Sequence, residues 1–449
     1  MHSAECNKVT EFVSDVCKQI RWKMAHQRVA DEMAAHIEDS RIHYIEQGMS
    51  DEAATNQAIA DTGDSTLIGA DFDRIHRPRP QWGMLLAVAA FLAIGIIAHF
   101  ALRHVPDLPL WPQLAAGSLN RRLVYMAVGI TVMFGLYFLD FTIIGKYSVF
   151  VYIFMILLFA AAILLWPSSL NISRFGVIMQ AFSLVLPLAY AGLMYGLKGK
   201  GMKGVIIAAV AFSAYCFLAA IAVFLSALFL FLIAGVAILA VAIYKNWFGY
   251  NRTKSMVIVA VPAGLFALLG VLEGWSRLQT AIFPMRDPLG WGFVGHTTRQ
   301  IIQNAVWLGE SEPIMTTLHR GTEYHQHNIF LLPSPLNDML LTSIISQFGW
   351  LPFIAIIAAL VAFIAYGFVR CFRQKSGLGF FVSFAVMLTF TVQAAAYVAY
   401  NMGFTFVLLS LPLMSPGNAA MVVNLGLIGI MLSVFRSGDV VKDMQPEFR

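Results

Sequence analysis

Residues Gly204 to Tyr244 read GVIIAAVAFSAYCFLAAIAVFLSALFLFLIAGVAILAVAIY, 41 positions without one charged side chain. A helix needs about 20 apolar residues to cross a hydrocarbon core of roughly 30 Å. The run is therefore too long for one crossing and long enough for two, with a break near Phe224 giving helices over 204–222 and 226–244. Working outward from that pair, the same length criterion places helices over 83–102, 123–140, 147–166, 175–197, 255–273, 350–370, 379–401 and 421–436. The expected fold class is all-α, a polytopic membrane protein of about ten transmembrane helices. Composition agrees: 59% of the residues are hydrophobic and 12% charged, with a mean hydropathy of +0.71, far from the balance of a soluble domain.

The net charge of +5 is modest, and its basic residues recur in short loops rather than in one patch. That pattern sets topology and excludes a nucleic-acid surface. Lys146, then Lys198, Lys200 and Lys203, then Lys245, Arg252 and Lys254, then Arg370, Arg373 and Lys375 put ten cations in alternate loops, against four (Arg103, Arg121, Arg122, Arg174) in the opposite short loops. The positive-inside rule makes the ten-cation side cytoplasmic, together with both termini. The long loop over 274–338 then faces outward.

Residues 1–79 form a polar head expected to be a small cytoplasmic helical domain, with 80–449 as the transmembrane domain. Helical patterning runs over 8–23 and 28–47, Gly48 is a stop, Ser50 caps a helix beginning at Asp51, and Gly63-Asp64-Ser65 marks another break. The string HIEDSRIHYIEQGMSDEAATNQAIADTGD, from His36, resembles the permease-prefix domain found ahead of some bacterial membrane proteins, which implies a regulatory or partner-binding role. His36, Glu38, Asp39 and His43 imitate a metal set, but at helical spacing they read as a solvated face. The first apolar span begins near Trp82, too late for a cleavable signal peptide. None of the four cysteines, Cys6, Cys17, Cys216 and Cys371, lies in the outer loop, so no disulfide framework is expected.

Chemistry is sought at the outer mouth, in FLLPSPLNDMLLTSIISQFGW, Phe330 to Trp350. A Pro-rich loop here runs into an apolar helix with one carboxylate, Asp338, at the junction. An acid at a membrane-helix mouth is a functional candidate, and an Asn337 or Asp338 side chain capping the helix is the alternative. The stretch resembles the signature of the SEDS family, the RodA and FtsW glycosyltransferases, in which Leu-Pro-Glu is followed after three residues by Asp and an apolar helix ending in Phe-Gly-Phe. Leu332-Pro333-Ser334, Asp338 and Phe348-Gly349-Trp350 keep that register, with Ser334 in place of the Glu.

Two further stretches carry the resemblance. Arg277, Pro284, Asp287-Pro288, Gly290, Gly292 and Phe293 match the family's outer loop, with Val294 replacing a Gln. Leu411-Pro412-Leu413-Met414-Ser415-Pro416-Gly417-Asn418-Ala419-Ala420, followed by Asn424-Leu425, is similar to its Leu-Pro-Phe-x-Ser-Tyr-Gly-Gly-Ser-Ser and Asn-Leu, with Ser415, Gly417 and Asn424 in register. Gln180-Ala181-Phe182-Ser183 is what remains of a family Gln-Pro-Ser-Glu.

The resemblance implies a glycosyltransferase that polymerises lipid II, an undecaprenyl-diphosphate-linked disaccharide, outside the cytoplasmic membrane in division, elongation or sporulation. Asp338 would be the catalytic base. Arg277, Arg286, Asp287, Ser415 and Asn424 would bind substrate, an Arg fork suiting a diphosphate. On the residues alone, Arg277 equally snorkels beside Trp275, and Arg286-Asp287-Pro288 equally makes a turn. Residues Thr297 to Trp307 suggest a short helix on the membrane surface. His319, His325 and His327 with Glu323 are candidate ligands for the divalent metal, Mg or Mn, that the family implies, although a solvated loop explains their spacing as well. A class B penicillin-binding transpeptidase is the implied partner. A catalytically inactive scaffold and a lipid-linked substrate transporter are the competing readings.

Overall fold

The structure is a computed structural model of the 449-residue chain. It describes residues 2–22, 26–76, 81–103, 111–165, 179–222, 224–317, 323–325, 328–414 and 419–437. The chain divides into two compact units, an N-terminal one and one that carries the membrane spans.

The N-terminal unit is four helices, α1 (His2–Gln19), α2 (His26–Glu46), α3 (Asp51–Thr62) and α4 (Ser65–His76). Val13, Val16, Ile20, Val29, Met33, Ile37 and Ala58 form its core. The breaks fall where the punctuation residues put them, Gly48 and Gly63 both taking left-handed backbone (φ +91° and +102°). Ser50 precedes α3 but its hydroxyl caps nothing. Asp64 does cap α4, accepting from the Thr66 amide at 2.6 Å. Glu38 pairs with Arg41, which also reaches Asp51. Among the described residues no metal-binding group forms from it.

The second unit runs α5 (Trp82–Arg103), α6 (Trp111–Phe138), α7 (Thr142–Leu165), α8 (Leu186–Gly196), α9 (Gly201–Ile221), α10 (Leu225–Tyr244), α11 (Arg252–Glu273), α12 (Trp275–Ile282), α13 (Phe293–Gln303), α14 (Leu340–Phe348), α15 (Trp350–Phe372), α16 (Gly377–Asn401) and α17 (Ala419–Ser437). Among the described residues ten stretches are long and apolar enough to cross a membrane, from Trp82–Leu102 to Ala419–Arg436. They match the expected set, including the break at Phe224, where φ −87° and ψ 70° leave the helical region. A two-stranded antiparallel hairpin, β1 (Met315–Thr317) with β2 (Glu323–His325), interrupts the outer loop and leaves the all-α class intact.

The spans Met179–Gly196 and Gly377–Asn401 are each 78% buried and so form the centre of the bundle, whereas Thr142–Ala161, at 17%, turns its side chains to lipid. Aromatic edges hold the centre together, Tyr215 meeting Phe231 at 4.8 Å. Some buried hydroxyls find backbone acceptors, Tyr152 donating to the Ala211 carbonyl at 2.6 Å and Tyr190 to the Ala208 carbonyl at 2.9 Å, which offsets the cost of a polar group in hydrocarbon.

Two local departures bear on the site. The helix after Asp338 is the separate nine-residue α14, ended by Gly349 at φ +84°. A Cβ at Gly349 would also lie 2.7 Å from the Val306 carbonyl, because residues 306–311 run beside 346–351 through hydrogen bonds such as Trp350 N–H to Val306 O, 3.0 Å. Second, Arg122, read from sequence as an outer-loop cation, lies inside the span Leu119–Phe138 and is fully buried.

Candidate active site

Asp338 sits in the turn 334–339, closed by the Asn337 and Met339 amides donating to the Ser334 carbonyl, each at 3.0 Å. The helix that follows begins at Leu340, and no side chain of the turn caps it. Its free N–H groups are met from α16 instead. The Tyr397 hydroxyl accepts from the Leu340 amide at 3.1 Å and donates to the Asn337 carbonyl at 2.7 Å. The Asn401 Oδ1 accepts from the Thr342 amide at 3.0 Å, while its Nδ2 donates to the Asp338 carbonyl at 3.0 Å. The backbone of the turn is thus fixed from two sides, and the capping that would have occupied the Asp338 carboxylate is supplied by other residues.

The carboxylate is half-buried. Loss of solvent raises its pKa above the ordinary range, opposed by a smaller effect of the Ser334 hydroxyl, which hydrogen-bonds to it. Tyr397 and Tyr400 both lie within reach of its charge. An acid with a raised proton affinity, a fixed backbone and no capping duty for its side chain is equipped for proton transfer.

The other expected site residues fall into separate groups. Asp287 accepts from the Gly290 and Trp291 amides at 3.0 and 2.9 Å and so closes its own turn. The glycines of that motif are there for close approach, since a Cβ on Gly292 would lie 2.2 Å from the Pro284 carbonyl. Arg277 stacks on the Trp291 ring at 4.6 Å and the exposed Arg286 on Phe283 at 5.0 Å. Among the described residues Arg277 forms no ion pair with Asp338. Asn424 is buried and exchanges two 3.1 Å hydrogen bonds with the Gln393 amide. Ser415 lies outside the described residues, as do His319 and His327; His325 ends β2. Helix α13 is not a free surface helix: Thr297, Thr298 and Ile301 are buried, and it packs on α14.

No family model matches the chain. It is 27% identical over 170 residues to a probable peptidoglycan glycosyltransferase FtsW of Thioalkalivibrio sp. (strain K90mix), a match covering 37% of this chain and 40% of that protein. A second, from Thioalkalivibrio sulfidiphilus (strain HL-EbGR7), is 25% identical over 208 residues, 45% of this chain and 48% of the relative. The chain thus spans about half the length of the curated relatives it matches. Among solved structures, a chain of a peptidoglycan synthase complex coordinating polymerization and crosslinking aligns with TM-score 0.56 at 17% identity, over 80% of this chain and 98% of that one. The rod shape determining protein RodA of Thermus thermophilus aligns with TM-score 0.52 at 15% identity, over 80% and 97%. This is the SEDS fold.

In this SEDS-fold chain the Ser334 side chain lies against the Asp338 carboxyl. Sequence reasoning missed Tyr397 and Asn401. It also missed Arg299, which donates to the Ile282 carbonyl at 3.0 Å and the Gly403 carbonyl at 3.2 Å, and also to the Ala281 carbonyl, tying α13 to the end of α12. None of the three belongs to a local pattern. For Tyr397 and Asn401 the available signal was a polar residue in a mostly apolar helix. Among the described residues no three of His, Cys, Asp and Glu gather to hold a metal ion.

Proposed function

We propose that this protein is a SEDS-type peptidoglycan glycosyltransferase that polymerises lipid II at the outer face of the cytoplasmic membrane. Asp338 is the general base. Its carboxylate takes the proton from the acceptor sugar hydroxyl as that oxygen attacks the donor's anomeric carbon; the bond from that carbon to the diphosphate breaks, and undecaprenyl diphosphate leaves with the electron pair. One observation carries the reading: Tyr397 and Asn401 cap α14 in place of Asp338, so the acid at this helix mouth is not used as the cap.

The loop-charge asymmetry supports an arrangement with both termini cytoplasmic and Asp338 outside. Residues 1–79 form a cytoplasmic regulatory domain in this reading, and a class B penicillin-binding transpeptidase is the partner. Arg277, Arg286, Asp287, Ser415 and Asn424 are the substrate-binding set in this reading. The described residues offer no cage for Mg or Mn; such an ion would bind chiefly to substrate phosphates.

The test is polymerisation of lipid II by the purified full chain. The parent protein should form glycan, and Asp338→Ala should form none at equal expression and equal melting temperature. Full activity in that variant removes the mechanism, and a parent protein inactive with every candidate partner points to a scaffold.

A further inference from the structure

Arg122 is a buried cation in the membrane unit. It lies in α6 within a span and has no solvent exposure. Of its five N–H donors, one serves the Met414 carbonyl through Nη2 at 2.9 Å, while Nε and Nη1 have no partner. Helix α5 approaches so closely that a Cβ on Gly95 would stand 1.9 Å from Nη2, with the Met414 backbone 3.4 Å away. The guanidinium is therefore wedged between a glycine and a loop carbonyl. Among the described residues no carboxylate pairs with it, and the titratable group within its electrostatic reach is Tyr397 of α16, which also feels Asp338.

Burying a cation with unmet donors costs several kcal/mol, and ionisable groups kept at membrane depth pair with charges or mark a substrate path. Among the described residues no pairing anion is present. Arg277, the residue first assigned to a diphosphate, is already stacked on Trp291, whereas Arg122 has unused donors on the side of the bundle that carries Tyr397 and the Asp338 turn. We propose that Arg122 receives a lipid-borne phosphate oxyanion, specifically that of a prenyl diphosphate. Resting on the reading of Asp338 as base, this puts the leaving group against α6 and the acceptor hydroxyl against the 334–339 turn, with Tyr397 in reach of both charges. A fixed guanidinium offers charge-assisted hydrogen bonds as negative charge grows on the departing diphosphate.

The test uses the full chain in phosphatidylcholine nanodiscs and undecaprenyl diphosphate as the probe, without turnover. Arg122→Gln should weaken binding at least tenfold and Arg122→Lys less, while Asp338→Asn should stay within twofold of the parent. Gly95→Ala, which leaves Arg122 in place but drives a methyl into its guanidinium, should also weaken binding and keeps the test alive if Arg122→Gln fails to fold. Parent-like binding by a folded Arg122→Gln overturns the assignment and leaves Asp338 untouched. No binding by the parent sinks both readings. Equal competition by phosphatidylglycerol shows a site for bulk headgroups and overturns the prenyl diphosphate.

Discussion

The side-chain amide of Asn401 donates to the backbone carbonyl of Asp338 at 3.0 Å, across 63 positions of sequence. The same side chain accepts from the Thr342 amide and hydroxyl, both at 3.0 Å. One residue of α16 therefore fixes both sides of the junction between the turn and α14. Asn401→Leu keeps the volume but orphans these groups, at about 1–3 kcal/mol for a buried unsatisfied group. The expected outcome is a lower melting temperature together with lost polymerisation. An unchanged melt would show that the turn holds itself.

The carboxyl of Asp338 holds its proton more tightly in the folded chain than in the unfolded one, because burial disfavours its ionised form. Its ionised form is the one that burial penalises, so where it is ionised it opposes folding. That cost shrinks as pH falls through the raised folded pKa and is gone below the unfolded value of about 4. Asp338→Asn should therefore melt higher than the parent at pH 7, with the gain fading toward pH 4, while activity falls by about 10²–10⁴. The acid limb of the parent's rate profile should have its midpoint above that of an ordinary Asp. A midpoint near 4 contradicts the burial argument.

Arg277 over Trp291 is a cation–π contact, worth about 0.5–1 kcal/mol where partly exposed. Arg277→Gln and Trp291→Ala should each lower polymerisation less than tenfold, and the double variant should be no worse than the weaker single one. Loss beyond a hundredfold in Arg277→Gln alone would return that residue to the phosphate.

Gly349 combines left-handed backbone with a Val306 carbonyl where a Cβ would go. Gly349→Ala meets both penalties and should destabilise by roughly 2–4 kcal/mol, read as a fall in melting temperature. A neutral substitution would show that the reversal between α14 and α15 is soft.

What was legible in the sequence is what repeats locally. Run length and apolarity fix each crossing, which is why even the Phe224 break in an uncharged stretch was placed correctly. Gly48 and Gly63 act through their own backbone and were equally readable. Asp338 was found through its setting, but the capping alternative could be decided only by Tyr397 and Asn401, whose pairing with the turn depends on how α16 packs. Arg122 was misplaced for a related reason. A cation beside Arg121 at the start of an apolar run looks like a loop residue, and nothing local says that Gly95 makes room for it inside.

Nine residues of α14 rise only about 14 Å, less than half of the roughly 30 Å of hydrocarbon. Trp350, the first residue of the following crossing, is of the kind that settles at headgroup level. The acid therefore hangs within half a leaflet pair of that plane. In the proposed reaction a carrier tethered by its tail would slide sideways to meet it, without being lifted out of the bilayer at each round of elongation.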